Sequence, residues 1–71
     1  MQINTGRAYK RMAEENGHSQ RKVAGICAVS ANTASRWFRS SDQSLQLIAE
    51  NCRKLGWDFD DFMSHATGRK S

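Results

Sequence analysis

Helix start and stop signals recur at short intervals along the whole chain, and they restrict it to a series of short helices. A polar residue suited to helix capping precedes each stretch with helical apolar spacing: Asn4 or Thr5, Ser19, Ser30, Asp42 or Ser44, and Asp58. Gly17 and Gly56 follow two of these stretches, where glycine can adopt the left-handed conformation that ends a helix. The 71 residues include no proline. The sequence therefore predicts an all-α fold.

The length of the chain is sufficient for one small domain. Apolar residues recur at helical spacing in the first, fourth and fifth predicted helices: Ala8, Tyr9, Met12 and Ala13; Leu45, Ile48, Cys52 and Leu55; Phe59 and Phe62. We expect residues 1–66 to form one domain and residues 67–71 to form a short basic tail. Because the core of so small a domain is marginal, a homodimer would supply additional stability.

The cysteines and histidines do not have the spacing of a metal site. Cys27 and Cys52 occupy apolar positions of predicted helices, which favours two buried free thiols over a disulfide. His18 and His65 each lack a second ligand at metal spacing. The aspartates near residue 60 lack the pattern of a calcium loop. We expect no metal and no cofactor.

No stretch approaches the roughly 20 apolar residues that span a bilayer, and the first residues do not resemble a secretory signal. The chain also shows no nucleophile–base pair and no phosphate-binding glycine loop. We therefore expect a cytoplasmic protein that is not an enzyme and that binds neither a membrane nor a small-molecule ligand.

Charge is distributed unevenly along the sequence. Residues 1–40 contain seven Lys and Arg against two Glu, a balance of +5, whereas residues 41–66 contain two basic and five acidic residues, a balance of −3. Arg69 and Lys70 follow in the tail. An anionic partner is therefore expected to bind the first half of the chain.

Residues 20–39 predict two short helices separated only by Ala28, Val29 and Ser30. So short a joint makes the second helix cross the first steeply and project from the domain. Small residues are needed where two such helices touch, and Ala24 and Ala34 supply them. Larger apolar groups, Val29 and Trp37, are expected to pack beneath the joint.

The helix that follows Ser30 has two distinct faces. At 100° per residue, Ala34, Trp37 and Phe38 group on the side expected to face inward. The opposite side carries only polar and basic side chains: Asn32, Ser35, Arg36 and Arg39. Amide and guanidinium groups match the hydrogen-bonding edges of adenine and guanine. This pattern predicts a helix that recognises duplex DNA.

The run SQRKVAGICAVSANTASRWF, followed by SLQLIAENCRKLGWDFDDF, resembles the Cro/CI-type helix-turn-helix family of phage repressors and Xre-like regulators. The resemblance extends from about Ala8 to Phe62. It implies a compact five-helix, lambda-repressor-like domain with its helix-turn-helix at helices 2 and 3. The family also implies a Cro-like homodimer that binds a pseudo-palindromic operator, with helix 3 in the major groove.

The resemblance also implies two sets of DNA-contacting residues. The base-reading positions correspond to Ala31, Asn32, Ser35 and Arg36. The positions expected to contact phosphate are Gln20, Arg21, Ser30, Arg39, Ser40 and Ser41. Three residues depart from the family pattern. Ala31 stands where many relatives carry a long polar base reader, and it could contact only a thymine methyl group. Ala28 replaces the usual glycine of the turn, which costs roughly 1 kcal/mol if it is left-handed, and Asn51 replaces an aliphatic residue and needs a hydrogen-bond partner.

Other interpretations of the sequence remain open. The same domain would serve an antitoxin or an activator that acts with a protein partner, and a protein-interaction module would need no DNA at all. Trp57, Phe59 and Phe62 are expected in the core or at an interface, and the acidic, aromatic C-terminal segment around them is the favoured dimer surface.

Overall fold

The computed structural model describes residues 3–41 and 43–68, and within these ranges it contains five α-helices and no strand. The helices are α1 (Thr5–Glu15), α2 (Gln20–Ile26), α3 (Ala31–Arg39), α4 (Leu45–Leu55) and α5 (Phe59–Thr67). The predicted all-α fold of short helices is confirmed. Helix α5 includes Thr67 and is capped by Gly68, so the last helix continues past residue 66. Residues 69–71 of the predicted tail, and the candidate cap Asp42, lie outside the described residues.

Every helix begins at a polar residue that the sequence proposed as a cap. The side chains of Asn4, Ser19, Ser30, Ser44 and Asp58 each accept a hydrogen bond from a backbone N–H two or three residues further along the chain. Gly17 and Gly56 have φ values of 67° and 73°, so both adopt the left-handed conformation expected of them. The local signals therefore predicted where each helix begins and where α1 and α4 end.

The core is built around α1, which packs against both α3 and α5. Tyr9 of α1 is fully buried, and its ring lies 4.9–6.1 Å, centroid to centroid, from four other aromatic rings. Those rings belong to Trp37, Phe38, Trp57 and Phe62. Such separations are typical of favourable aromatic pairs. Helix α3 is thus fixed to the domain through the rings of its inward face.

Two of the apolar residues at helical spacing are exposed. Leu45 and Phe59 retain 56% and 37% of their accessible surface. Each is the first residue of its helix, directly after the cap. Helical side chains lean towards the N-terminus, so a residue in this position points past the end of its own helix. Phe59 therefore does not join Phe62 in the core, and an interface is the role that the sequence leaves for it.

The three aromatic residues of the acidic C-terminal segment differ in exposure. Trp57 is 6% exposed and Phe62 is fully buried, so both belong to the core of the single chain. Phe59 is 37% exposed. The segment stays a predicted dimer surface, and Phe59 is the one of these three aromatics that is available to a partner.

The buried polar and thiol groups have the environments that the sequence suggested. Cys27 and Cys52 are free and buried, and burial raises the pKa of the Cys52 thiol to about 11. Asn51 is 2% exposed, and its side-chain amide donates to the Tyr9 hydroxyl at 2.9 Å. The hydrogen-bond partner that Asn51 requires is thus Tyr9. Among the described residues, the helices are all too short or too polar to cross a membrane.

Candidate nucleic-acid interface

Helices α2 and α3 are joined by a tight turn in which Ala28 adopts a left-handed conformation, with φ 58°. The Val29 N–H donates to the Ala24 carbonyl at 3.0 Å, which closes the end of α2. The hydroxyl of Ser30 then accepts from the Thr33 N–H at 3.2 Å and starts α3. The condition under which Ala28 costs stability, a left-handed conformation, is therefore met.

Buried small residues lie in both helices of this pair. Ala24 of α2 and Ala34 of α3 are both buried, which allows the two helices to approach closely. Val29 and Trp37 are partly buried and pack against the core. These contacts are the ones that the sequence predicted, and they hold the buried face of α3 against the domain.

The opposite face of α3 is accessible to a ligand. Ala31, Asn32, Arg36 and Arg39 are exposed, whereas Ser35 is half-buried. Asn32 and Arg36 are four residues apart, so their side chains are neighbours on the helix surface. An amide and a guanidinium group therefore lie side by side. Of the four base-reading candidates, Ser35 is the least accessible.

The candidate phosphate-contacting residues lie at helix ends. Gln20 and Arg21 are exposed in the first turn of α2. Ser30 is exposed, but its hydroxyl already caps α3. Arg39 ends α3 and its Nε donates to the Ser35 carbonyl at 3.4 Å, so this side chain also serves the end of its own helix.

Ser40 and Ser41, the other two candidates, follow α3 directly. Ser41 is exposed and Ser40 is half-buried. The backbone of both residues is tied to α1: the Thr5 hydroxyl donates to the Ser40 carbonyl and the Thr5 N–H donates to the Ser41 carbonyl, each at 3.4 Å. The sequence considered Thr5 only as a cap, and it gave no sign of these contacts.

The electrostatics of α2 and α3 are uniformly basic. Residues 20–39 contain no Asp or Glu, and their four basic side chains, Arg21, Lys22, Arg36 and Arg39, are all exposed. The acidic side chains of the described chain lie on α1 and α4 and at the beginning of α5. One of them, Glu15, has a carboxylate oxygen 3.0 Å from Nε2 of His65. An anion therefore meets no carboxylate on the surface of the α2–α3 pair itself.

These observations define a small all-α domain in which one exposed helix face carries basic and amide side chains. Comparison with protein-family models, curated proteins and solved structures finds no match to this chain.

Proposed function

We propose that the chain is a sequence-specific DNA-binding regulator that inserts α3 into the major groove. The observation that carries the proposal is the pair Asn32 and Arg36, exposed side by side on the face of α3 opposite the buried Ala34 and Phe38. Asn pairs bidentately with adenine and Arg with guanine, and both patterns are displayed in the major groove. The absence of any acidic residue in α2 and α3 supports the same partner.

In this proposal α2 and α3 are the helix-turn-helix of a lambda-repressor-like domain, and the protein acts as a Cro-like repressor. A homodimer would bind a pseudo-palindromic operator with half-sites about 34 Å apart, one turn of the duplex. Repression would follow because the bound dimer excludes RNA polymerase or a competing repressor from the site.

Selection of bound sequences from random duplex DNA tests this proposal directly. We expect the enriched sequences to contain a two-fold symmetric site, and we expect sedimentation of the complex to give two protein chains per duplex. If no sequence is enriched over the starting pool in dilute buffer, the proposal is wrong.

A matched pair of substitutions tests the role of α3. Arg36→Ala removes a base-reading candidate, and Arg53→Ala removes an exposed arginine from α4. Both variants lose one positive charge, so a general electrostatic effect is common to the two. We expect Arg36→Ala alone to weaken operator binding, by roughly 1 to 3 kcal/mol, and to relax preference at one base pair. Equal losses for the two variants would contradict base reading by Arg36.

Among the described residues, four large apolar side chains are exposed and are available for a protein contact. Ile3, Ile26, Leu45 and Phe59 are all more than one-third exposed. They suit the dimer proposed above, and equally an antitoxin or activator that binds DNA together with a protein partner. A toxin reading frame beside the gene would favour the antitoxin. A module that binds only proteins would not bind duplex DNA, and Arg36→Ala would leave its interactions unchanged.

A further inference from the structure

The beginning of α1 is bonded to the residues that leave α3. We name Ser40, Ser41 and Gln43 the α3 exit segment. The Thr5 hydroxyl donates to the Ser40 carbonyl at 3.4 Å and accepts from the Gln43 N–H at 3.3 Å. The Thr5 N–H donates to the Ser41 carbonyl at 3.4 Å. One buried residue thus contacts the backbone of all three members of the segment.

Gly6 allows this approach. A Cβ atom at position 6 would lie 2.5 Å from the carbonyl oxygens of both Phe38 and Ser40. Real Cβ atoms essentially never come so close to another heavy atom, and both of these oxygens belong to the backbone. Glycine lowers the stability of a helix relative to alanine, so its presence within α1 needs a reason. Close contact with the end of α3 supplies that reason.

A second anchor holds the far end of the α3 exit segment. The Tyr9 hydroxyl donates to the side-chain oxygen of Gln43 and accepts from the Asn51 amide. Tyr9 and Asn51 are both buried, so their positions are fixed by the core. The segment is therefore held by two residues of α1, Thr5 at the beginning of the helix and Tyr9 in the core.

The contact between the beginning of α1 and the end of α3 also fits the electrostatics of helix ends. The N-terminus of a helix carries partial positive charge and the C-terminus partial negative charge. Here the first residues of α1 meet carbonyl oxygens at and just beyond the end of α3. The last carbonyls of a helix need partners from outside it, and Thr5 provides one just beyond α3, at Ser40.

We propose that Thr5 and Gly6 are positioning residues for DNA binding. They set where α3 ends and where the α3 exit segment runs, and the Tyr9–Gln43 contact assists them. Arg39, Ser40 and Ser41 then reach phosphates while α3 lies in the groove. This inference rests on the proposed function.

The proposal predicts a particular pattern of loss. Phosphate contacts set register and add affinity but carry no sequence information, whereas base contacts specify. A segment released from Thr5 no longer holds Arg39, Ser40 and Ser41 against phosphates, so contacts are lost from the complex and binding weakens. Asn32 and Arg36 lie earlier in α3, so base preference is expected to persist. Loss of the Thr5 contacts is therefore expected to change affinity and salt dependence without changing base preference, whereas Arg36→Ala is expected to relax base preference.

The experiment compares three variants of the full chain with wild type on the duplex selected above. Thr5→Val keeps the shape of the side chain but loses its hydroxyl, and Thr5→Ser restores the hydroxyl. Ile48→Val trims the core in α4 and reports the effect of lower stability alone. We expect Thr5→Val to bind about tenfold more weakly with unchanged base preference. Its salt dependence should be shallower by roughly 0.9 per lost phosphate contact of Arg39. Thr5→Ser and Ile48→Val should resemble wild type.

The possible results separate the two proposals. Wild-type affinity and salt dependence in Thr5→Val would overturn the positioning role. An equal loss of affinity in Ile48→Val would also overturn it, because lower stability alone would then explain the weaker binding. If Thr5→Val fails to fold, Gln43→Ala replaces it, because Gln43 is half-buried outside any helix and its loss removes the second anchor. Gln43→Ala is then required to weaken binding and to make the salt dependence shallower, with base preference unchanged. A wild-type chain that binds no duplex DNA would instead overturn the proposed function itself.

Discussion

Tyr9 is the side chain on which the packing and the buried hydrogen bonds of the domain converge. Its ring contacts aromatic residues of α3 and α5 and Trp57 between α4 and α5. Its hydroxyl links Asn51 to Gln43. The sequence indicated that Asn51 needs a partner but not which one, because Tyr9 lies 42 positions away in the chain. Pairings over that distance depend on how the helices pack.

The burial of Tyr9 predicts a loss of stability in alkali. Burial raises the pKa of Tyr9 to about 12 from its ordinary value of 10.0, since the charged form is disfavoured in the core. The unfolded chain therefore loses this proton first, and the free energy of unfolding falls as the pH rises from 10 to 12. Two pKa units correspond to about 2 to 3 kcal/mol.

Tyr9 is the single tyrosine of the sequence, so phenolate absorbance follows it directly. Titration of the native chain and of the chain in denaturant should give separated midpoints, and denaturant unfolding along the same pH series should give the fall in stability. The raised pKa of the Cys52 thiol acts in the same direction from about pH 9 upward. Phenolate formation near pH 10 with native helix content would contradict the prediction.

Two glycines within helices are predicted to respond oppositely to alanine. Gly6→Ala places a methyl group against two backbone carbonyls and should lower the free energy of unfolding by about 1 to 3 kcal/mol. Gly25→Ala meets no atom within 4 Å and should raise it by about 0.5 to 1 kcal/mol through helix propensity. Urea unfolding measures both. A destabilised Gly25→Ala, or an unaffected Gly6→Ala, would show that the contacts of the helices differ from those described.

At the scale of elements, the turn between α2 and α3 stores backbone strain at Ala28. A left-handed conformation costs an L-residue about 1 to 2 kcal/mol and costs glycine almost nothing. Glycine also gains entropy in the unfolded chain, which offsets part of the benefit. Ala28→Gly should therefore stabilise the domain by about 0.5 to 1 kcal/mol in thermal or urea unfolding. The matched change Ala49→Gly, at an exposed position inside α4, should destabilise it by about 1 kcal/mol.

The bounds of the helices were predictable because capping is local. A cap and the N–H that it satisfies lie within three residues, so Ser19, Ser30 and Ser44 specify where their helices begin. The exposure of Leu45 and Phe59 was not predictable in the same way. Helical spacing gives the direction of a side chain around the helix axis. Burial also needs a neighbouring element that covers the helix at the position of that residue. The neighbours are set by the assembled fold.

At the scale of the whole molecule, one part of the candidate site follows from the local sequence and another part depends on the assembled fold. The exposed face of α3 follows from the spacing of Asn32, Arg36 and Arg39, which sequence alone provides. The anchors of the α3 exit segment do not, because Thr5 and Ser40 are 35 residues apart. Gly6 is the one signal that was available, since a glycine inside a helical pattern suggests close backbone contact. The local sequence pattern thus identifies the exposed polar face of α3 but not the contacts that support its end.

The separation of charge along the molecule predicts a steep and position-dependent effect of salt. A dimer that neutralises phosphates through Arg21 and Arg39 of each chain makes four such contacts. The logarithm of affinity should then fall with the logarithm of salt with a slope of about −3 to −4. Arg39→Gln should bring the slope about 2 closer to zero, because each dimer loses two contacts. Lys54→Gln, an equal change of charge on α4, should leave the slope close to wild type, because Lys54 lies outside the α2–α3 pair that is proposed to contact phosphates. Fluorescence anisotropy of a labelled duplex across a salt series measures all three slopes. Identical slopes for the two variants would mean that net charge, rather than the α2–α3 surface, attracts the DNA.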